Sequence, residues 1–378
     1  MKEDINFADI RPYNDSEIPE AVKRITENVY FQGIANYIFP NVDLQILTDE
    51  FRKIKTVDEF QVQIMDKVIR TILAQTADTL SYTGFERLSN EKNYLFLSNH
   101  RDILLDSAIL QIILHKYGLK TSEITFGSNL MSSQFVIDIG KVNKMFKIVR
   151  GGTSREIFFN SLNVSQYMRY AITQKQQSIW IAQRNGRAKN GFDCTEVAVL
   201  KMLAMSSQET FVSNLMELNI TPLAISYEYE PCDFLKTQEL YISRQKQYVK
   251  THNEDMNSII QGIRQWKGNI HLAVCETITE NELKQCDTLL HNKKFKYLAE
   301  IIDKKIYQHY KLHKTNYIAH DLLHDAKTYT SHYSNEEKEA FKSYMQEGLE
   351  NIDGEMTELE TLFLQIYAVP VENAMLLK

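Results

Sequence analysis

The stretch Tyr94-Leu-Phe-Leu-Ser-Asn-His-Arg-Asp-Ile-Leu-Leu-Asp106 decides how the rest of the chain is read. Its apolar, β-prone start, Asn93 to Leu97, reads as a buried strand that ends in Ser98-Asn99-His100. The apolar pattern from Ile103 to His115 then reads as a helix with a carboxylate in its first turns. Strand ends beside helix N-termini are where α/β proteins place reacting groups. An imidazole there, with Asp102 and Asp106 nearby, has the parts of a general base and its orienting partner. Aspartates also favour a helix N-terminus on dipole grounds alone, so either one is equally at home as a cap.

Moving outward, further short β-prone runs lie at Glu123 to Phe126, Phe146 to Val149, Ser178 to Ala182, Pro222 to Tyr229 and Ile270 to Val274. Helical patterns separate most of them, as at Arg155 to Gln174 and Thr195 to Met205. Strand and helix in alternation predict an α/β fold, a mixed and mostly parallel sheet covered by helices on both faces. The stretch from about 17 to 85 reads as helical, with Ile18, Ala21, Val22 and Ile25 at helical spacing. Beyond about 280 the pattern is helical again. The expected organisation is a helical N-terminal region over 1–90, an α/β domain over 91–280 and a helical C-terminal region over 281–378.

Composition narrows the classes. A net charge of −6 argues against a nucleic-acid partner. Cys194, Cys232, Cys275 and Cys286 form no CxxC pair or zinc-like spacing and read as reduced thiols, so neither a metal nor another cofactor is expected. No run approaches the length of a membrane span, and the acidic start lacks the layout of a signal peptide. A cytoplasmic location is therefore expected. Basic residues nevertheless crowd two places, Lys141 to Arg155 and Arg184 to Lys189.

Three further blocks follow the opening stretch. Phe146-Lys-Ile-Val-Arg-Gly-Gly152 sets Arg150 beside a glycine pair that lets a ligand approach the backbone. Ile179-Trp-Ile-Ala-Gln-Arg-Asn-Gly-Arg-Ala-Lys-Asn-Gly191 reads as a strand opening into a loop of cations and exposed amides, which suits a phosphate. Ile220-Thr-Pro-Leu-Ala-Ile-Ser-Tyr227 is a strand opened by proline.

In this order the four blocks, over roughly residues 90 to 230, resemble the glycerolipid acyltransferase family, which includes glycerol-3-phosphate and 1-acylglycerol-3-phosphate (lysophosphatidate) acyltransferases. The first family motif, Asn-His-x4-Asp, is matched by Asn99, His100 and Asp106, and the second by Phe146, Ile148 and Arg150. The third is matched by Arg187-Ala-Lys-x-Gly191 and the fourth at Pro222. The chain departs from the family twice. Asp106 stands six positions after His100 rather than five, and Arg184-Asn185 stand where the third motif carries glutamate.

The resemblance implies transfer of a fatty acyl group from an acyl thioester to a hydroxyl of a phosphorylated glycerol, in phospholipid synthesis. His100 would be the general base, with Asp106, or alternatively Asp102, orienting it. Asn99, Arg101, Arg150, Arg184, Gly186, Arg187 and Lys189 would bind the acceptor. The implied partners are acyl-carrier protein or acyl-coenzyme A as donor, a phosphorylated glycerol acceptor, and a membrane surface at the inner face of the cell membrane. The aromatic-rich segments around Tyr30, Phe31, Tyr37 and Phe39 suit contact with that surface.

Other readings compete. Asn185 in place of the family glutamate fits a non-catalytic lipid- or protein-binding module on a decayed acyltransferase fold. His320-Asp-Leu-Leu-His324 places two imidazoles on one helical face, as a zinc hydrolase does, with Asp325, His309 or His313 as a third ligand. Ser98 shares a strand face with His100, but no Gly-x-Ser-x-Gly elbow surrounds it.

Overall fold

Leu95–Ser98 is a strand at the middle of a seven-stranded sheet, and every one of its residues is buried. The computed structural model describes residues 7–149, 151–251 and 253–377. In chain order the strands are β1 (Thr79–Thr83), β2 (Leu95–Ser98), β3 (Glu123–Gly127), β4 (Met145–Ile148), β5 (Ile179–Ala182), β6 (Ile220–Tyr227) and β7 (Asn269–Val274). They lie side by side as β1-β7-β6-β2-β5-β3-β4. All neighbours run parallel except β6 and β7, so the sheet is mixed and mostly parallel, as expected.

Side chains alternate across β2 and feed two cores. Leu95 and Leu97 pack with Tyr167 and Met168 of the Ser154–Thr173 helix and Leu200 of the Val197–Ala204 helix. Phe96 faces the other way, with Leu105, Ile109 and Ile113 of the Leu105–Lys116 helix. Burial on both faces is why β2 and β6 are continuous apolar runs rather than alternating ones. Leu298 and Ile302, from the His291–His309 helix, complete the first core, so this C-terminal helix packs directly beneath the sheet.

One strand was not expected. Thr79–Thr83 falls in the stretch read as helical, yet it pairs parallel to β7 at the sheet edge. Its residues are only half-buried or exposed, so it needs no apolar run and offers none to read.

Two smaller cores flank the sheet. Ile18, Val22 and Phe31 pack on Phe135 and Val142 of the Gln134–Val142 helix. At the other end, Phe341, Phe363 and Tyr367 pack with Ile318 and, at the margin, Phe234. No described helix is long and apolar enough to cross a membrane.

Candidate functional site

The chain leaves β2 at Ser98, and the side chain of Asn99 takes over the ladder. Its Oδ1 accepts the Ile225 N–H at 2.7 Å and its Nδ2 donates to the Ile225 carbonyl at 2.9 Å. The backbone is thereby free to turn out of the sheet, which sets His100 beyond the carboxyl end of the central strand. Asn99 is fully buried, and Nδ2 also reaches Asp193 Oδ2 at 3.1 Å. It holds the site together and does not face the cleft.

His100 Nδ1 lies 2.8 Å from Asp106 Oδ2. That oxygen also accepts the N–H groups of Arg101 at 2.6 Å and Asp102 at 3.0 Å, while Oδ1 accepts the Tyr227 hydroxyl at 2.7 Å. Burial and the Asp106 charge push the Tyr227 phenol well up, so it stays a donor. These donors, with the helix N-terminus, offset the burial of the Asp106 carboxylate. A carboxylate so surrounded can only accept, so Nδ1 carries the proton and Nε2 presents its lone pair. The imidazole stands edge-on to Trp180, ring centroids 5.6 Å apart.

The extra residue between His100 and Asp106 is taken up in the turn before the helix. Asp102 Oδ1 accepts the N–H groups of Leu104 at 2.8 Å and Leu105 at 2.7 Å, capping Leu105–Lys116. Asp102 therefore caps, and Asp106 meets the imidazole. Burial, then the Asp106 charge, pushes the Asp102 carboxyl up.

Arg101, expected to bind substrate, is 0 % exposed and turned into the interior. Its Nη2 donates to Asp193 Oδ2 at 2.5 Å and to the Gly191 carbonyl at 3.1 Å. Nη1 lies 3.3 Å from Glu230 Oε2, and the guanidinium covers the Tyr310 ring. Lys236 Nζ closes the network on the Arg101 carbonyl at 2.8 Å and Glu230 Oε1 at 2.6 Å.

The loop after β5 is tied to this first segment. The Gln183 N–H donates to the Ser98 carbonyl and the Ala188 N–H to the His100 carbonyl, each at 2.8 Å. The second bond sets Arg187 and Lys189 on either side of a residue fastened to His100. Gly191, at φ +76°, packs so closely on the Ile366 carbonyl that a Cβ would come within 2.4 Å of its oxygen.

These ties bring His100, Arg184, Gly186, Arg187 and Lys189 to one cleft of about 780 Å³. Lys250 joins them, as do Glu254 and Asp255. Ile103, Phe126, Leu130, Val136, Leu240 and Met256 form its apolar wall. Burial pushes the Lys189 ammonium down to about 8, and the charges of Lys250 and Arg187 add to the effect. Lys189 is paired with Glu239. Lys250 Nζ meets Asp255 at 2.5 Å, and Asp255 also accepts Asn129 Nδ2 at 2.8 Å across the cleft. Arg187 Nη1 and Arg184 Nε are buried and make no hydrogen bond within the described residues. Two donors so placed suit an anion.

The other basic stretch is spent differently. Lys141 Nζ donates to the Asp9 carbonyl at 3.3 Å and Lys147 Nζ to Asp9 Oδ2 at 2.6 Å. Lys144 is buried on Thr121 Oγ1 at 2.8 Å and paired with Asp58. Phe146 is a core residue of β4. Arg150 lies outside the described residues.

The competing sites also find other employment. Ser98 Oγ donates to the Asn99 carbonyl at 2.7 Å rather than to His100. The His320 and His324 rings are 4.6 Å apart, but Asp321 accepts the Thr328 and Tyr329 N–H groups and the Tyr333 hydroxyl. His309 and His313 face Lys305 and Ser226 instead. Among the described residues no three His, Cys, Asp or Glu side chains converge as metal ligands.

Tyr227 and Lys250 carried no role in the sequence reading. Tyr227 closes the proline-opened strand, so its block was visible although its hydroxyl was not singled out. Lys250 sits in a connection with no motif, and only the fold returns it to His100.

Among solved structures the chain is similar to the 1-acyl-sn-glycerophosphate (LPA) acyltransferase PlsC from Thermotoga maritima. The two share 10 % sequence identity at a TM-score of 0.42, over 77 % of this chain and 94 % of that one. No protein-family model matches the chain, and no curated protein matches it in sequence.

Proposed function

We propose that the chain is an O-acyltransferase that moves a fatty acyl group from a thioester to a hydroxyl of a phosphorylated glycerol. One observation carries this reading. The His100–Asp106 pair, four cationic side chains and an apolar wall share a single cleft. A general base alone fits many reactions, and a cation cluster alone fits any phosphate. Together with an apolar wall they suit an acceptor phosphate, an acceptor hydroxyl and an acyl chain.

In this reading the cations of Arg184, Arg187, Lys189 and Lys250 hold the acceptor phosphate and set its hydroxyl beside His100. Nε2 takes the hydroxyl proton as the oxygen attacks the thioester carbonyl. The tetrahedral intermediate collapses to the ester and expels the thiolate, which takes the proton back from the imidazolium. Asp106 holds the tautomer and stabilises the imidazolium, and no protein nucleophile is acylated. General-base help of this kind is worth about 10²–10⁴-fold.

The same reading gives the exposed apolar surface a use. The Val29–Ile38 helix contains no charged residue. Phe31, Ala35 and Ile38 are buried, while Val29, Tyr30, Ile34 and Tyr37 are exposed on the other side. Tyr30 sits against Phe135, next to Val136 of the cleft wall. Tyr37 sits under Arg264, on the helix whose Met256 and Ile259 line the cleft. A lipid surface meeting this face at the cytoplasmic side would lie beside the mouth through which an acyl chain enters.

The test crosses acyl-carrier-protein and coenzyme A thioesters with glycerol-3-phosphate and 1-acylglycerol-3-phosphate, following thiol release. Wild type turns over at least one pair, and His100→Ala loses about 10²–10⁴-fold. Wild type inert with every pair, yet still binding lipid vesicles, would leave the non-catalytic module instead. Normal turnover by His100→Ala would refute the general-base assignment.

A further inference from the structure

The cation loop has two sides. Its inner side is tied to the His100 segment through Gln183, Ala188 and Arg101. Its outer side rests on helices far along the chain. Asp303 Oδ1, on the His291–His309 helix, accepts both the N–H and the hydroxyl of Thr195, at 2.8 and 2.6 Å. One turn on, the Tyr307 hydroxyl donates to the Asp193 carbonyl. Asp193 in turn receives Asn99 and Arg101, the two neighbours of His100. Gly191 packs on the backbone of the Met356–Met375 helix.

The consequence lies in what each tie fixes. The inner bonds fasten the loop's start and middle at 183 and 188, and its return limb closes back through the Glu196 N–H on the Gln183 carbonyl at 2.9 Å and through Arg101 on the Gly191 carbonyl, which leaves Thr195 to be held from the far side. That limb must be held at a set distance from His100 if Arg184, Arg187 and Lys189 are to face one anion. Asp303 grips it by two donors of one residue, which fixes direction as well as distance. The helix beneath is rigidly seated, because Leu298, Ile302 and Ile306 belong to the same core as β2.

We infer that Asp303 is a positioning residue for the anion-binding loop, so that the C-terminal helices set how tightly the acceptor is held. The acceptor part of this inference rests on the acyltransferase reading; the loop part does not. Asp303 touches no reacting atom and acts through Thr195.

The experiment compares Asp303→Ala, Asp303→Asn and Thr195→Val in the full chain. Deuterium exchange of residues 184–195 is the first readout, with the Leu105–Lys116 helix as internal control. Exchange in the loop is expected to rise about tenfold in Asp303→Ala while the control stays put, the scale of a lost buried hydrogen bond. Asp303→Asn keeps an acceptor oxygen for both Thr195 donors and restores most of the protection. Thr195→Val loses only the hydroxyl and falls between, and it carries the comparison should Asp303→Ala fail to fold. The second readout is steady-state kinetics, where acceptor KM rises about tenfold in Asp303→Ala and kcat stays within about twofold. Unchanged loop exchange in folded Asp303→Ala, or a fall in kcat alone, overturns the inference. A wild type inert with every substrate pair condemns the acyltransferase reading instead, and the exchange data still decide the role of Asp303 in the loop.

Discussion

The two basic stretches, 141–155 and 184–189, look alike in the sequence and end differently in the fold. The first begins in the Gln134–Val142 helix and runs through β4, the second follows β5, and both include glycine. Beside the edge strand β4, Lys147 is paired with Asp9 and Lys144 with Asp58, while Lys141 bonds the Asp9 carbonyl. The second opens from β5, which lies next to β2, and its cations line the cleft with His100. Position on the sheet decides what the charges meet, for Lys141 and Lys144 precede β4 and Lys147 lies within it, whereas Arg184 to Lys189 leave the carboxyl end of β5. Cations leaving the carboxyl end of a central strand share the crevice there, and those before or within the edge strand serve the surface. Arginine type alone does not separate the cases, as Arg101 shows: it neighbours His100 in sequence and still turns inward.

That contrast can be attacked where it is sharpest. Arg101→Ala should cost about 3–5 kcal/mol of stability, because Asp193 is left as a buried charge without its cation and Glu230 keeps only Lys236. Chemical denaturation with a common slope measures it. A variant of wild-type stability with a raised acceptor KM would mean that the guanidinium serves the cleft after all. The paired change Arg187→Ala with Lys189→Ala attacks the other side. It should weaken glycerol-3-phosphate binding by about 100-fold, the scale of two lost charge-assisted contacts, with little loss of stability. Calorimetric titration reads it directly, and unchanged affinity would remove the cleft's claim to an anion.

Histidines repeat the contrast between faced and sealed positions. His100 lines the cleft, whereas His271 and His313 are buried on hydroxyls, at Ser81 Oγ and Ser226 Oγ. Burial, then the charge of Lys311, pushes His271 down to about 4 and His313 down to about 3. Both folded values lie below the unfolded value of about 6.5, so the unfolded chain binds more protons as pH falls. Their stabilisation is complete above about pH 6.5 and declines as pH drops from there, to about 4 for His271 and about 3 for His313. By pH 5 the two together should have given up about 4 kcal/mol. The double change His271→Gln, His313→Gln should flatten the stability profile between pH 5 and 6.5 relative to wild type; an unchanged slope there would show that other groups set it.

How much of this was legible follows from the kind of signal each feature leaves. Six of the seven strands are apolar enough to stand out, while β1 is a half-exposed edge of Thr, Ser and Tyr whose pairing comes only from β7. His100 and Asp106 sit in one short segment, so both were readable, and the spacing question was local too. It needed only the knowledge that Asp102 spends an oxygen on the helix cap. The direction of a side chain is a different matter. Asn99 and Arg101 are the right types for binding and for bracing alike, and packing, not sequence, chose bracing. Lys250, Asp255 and Asp303 reach the site or its loop only through the order of strands and helices, so nothing near them in the chain marks them.

The smallest expected effect tests the comparison from its quiet side. Lys147 pairs with Asp9, whose side chain is 79 % exposed, and Lys141 reaches only the backbone of the same residue. Pairs of that kind contribute about 0–1 kcal/mol, since water and salt screen them and the long side chains lose freedom in holding them. Lys141→Ala with Lys147→Ala should therefore shift stability by less than about 1 kcal/mol. It should also leave acceptor KM within about twofold of wild type, because neither lysine lines the cleft. Denaturation and acceptor saturation on the same preparation read both. A tenfold rise in KM would place these two lysines in the acceptor's field at a distance. The distinction between the two basic stretches would then be one of degree, set by how far charge is felt across the sheet.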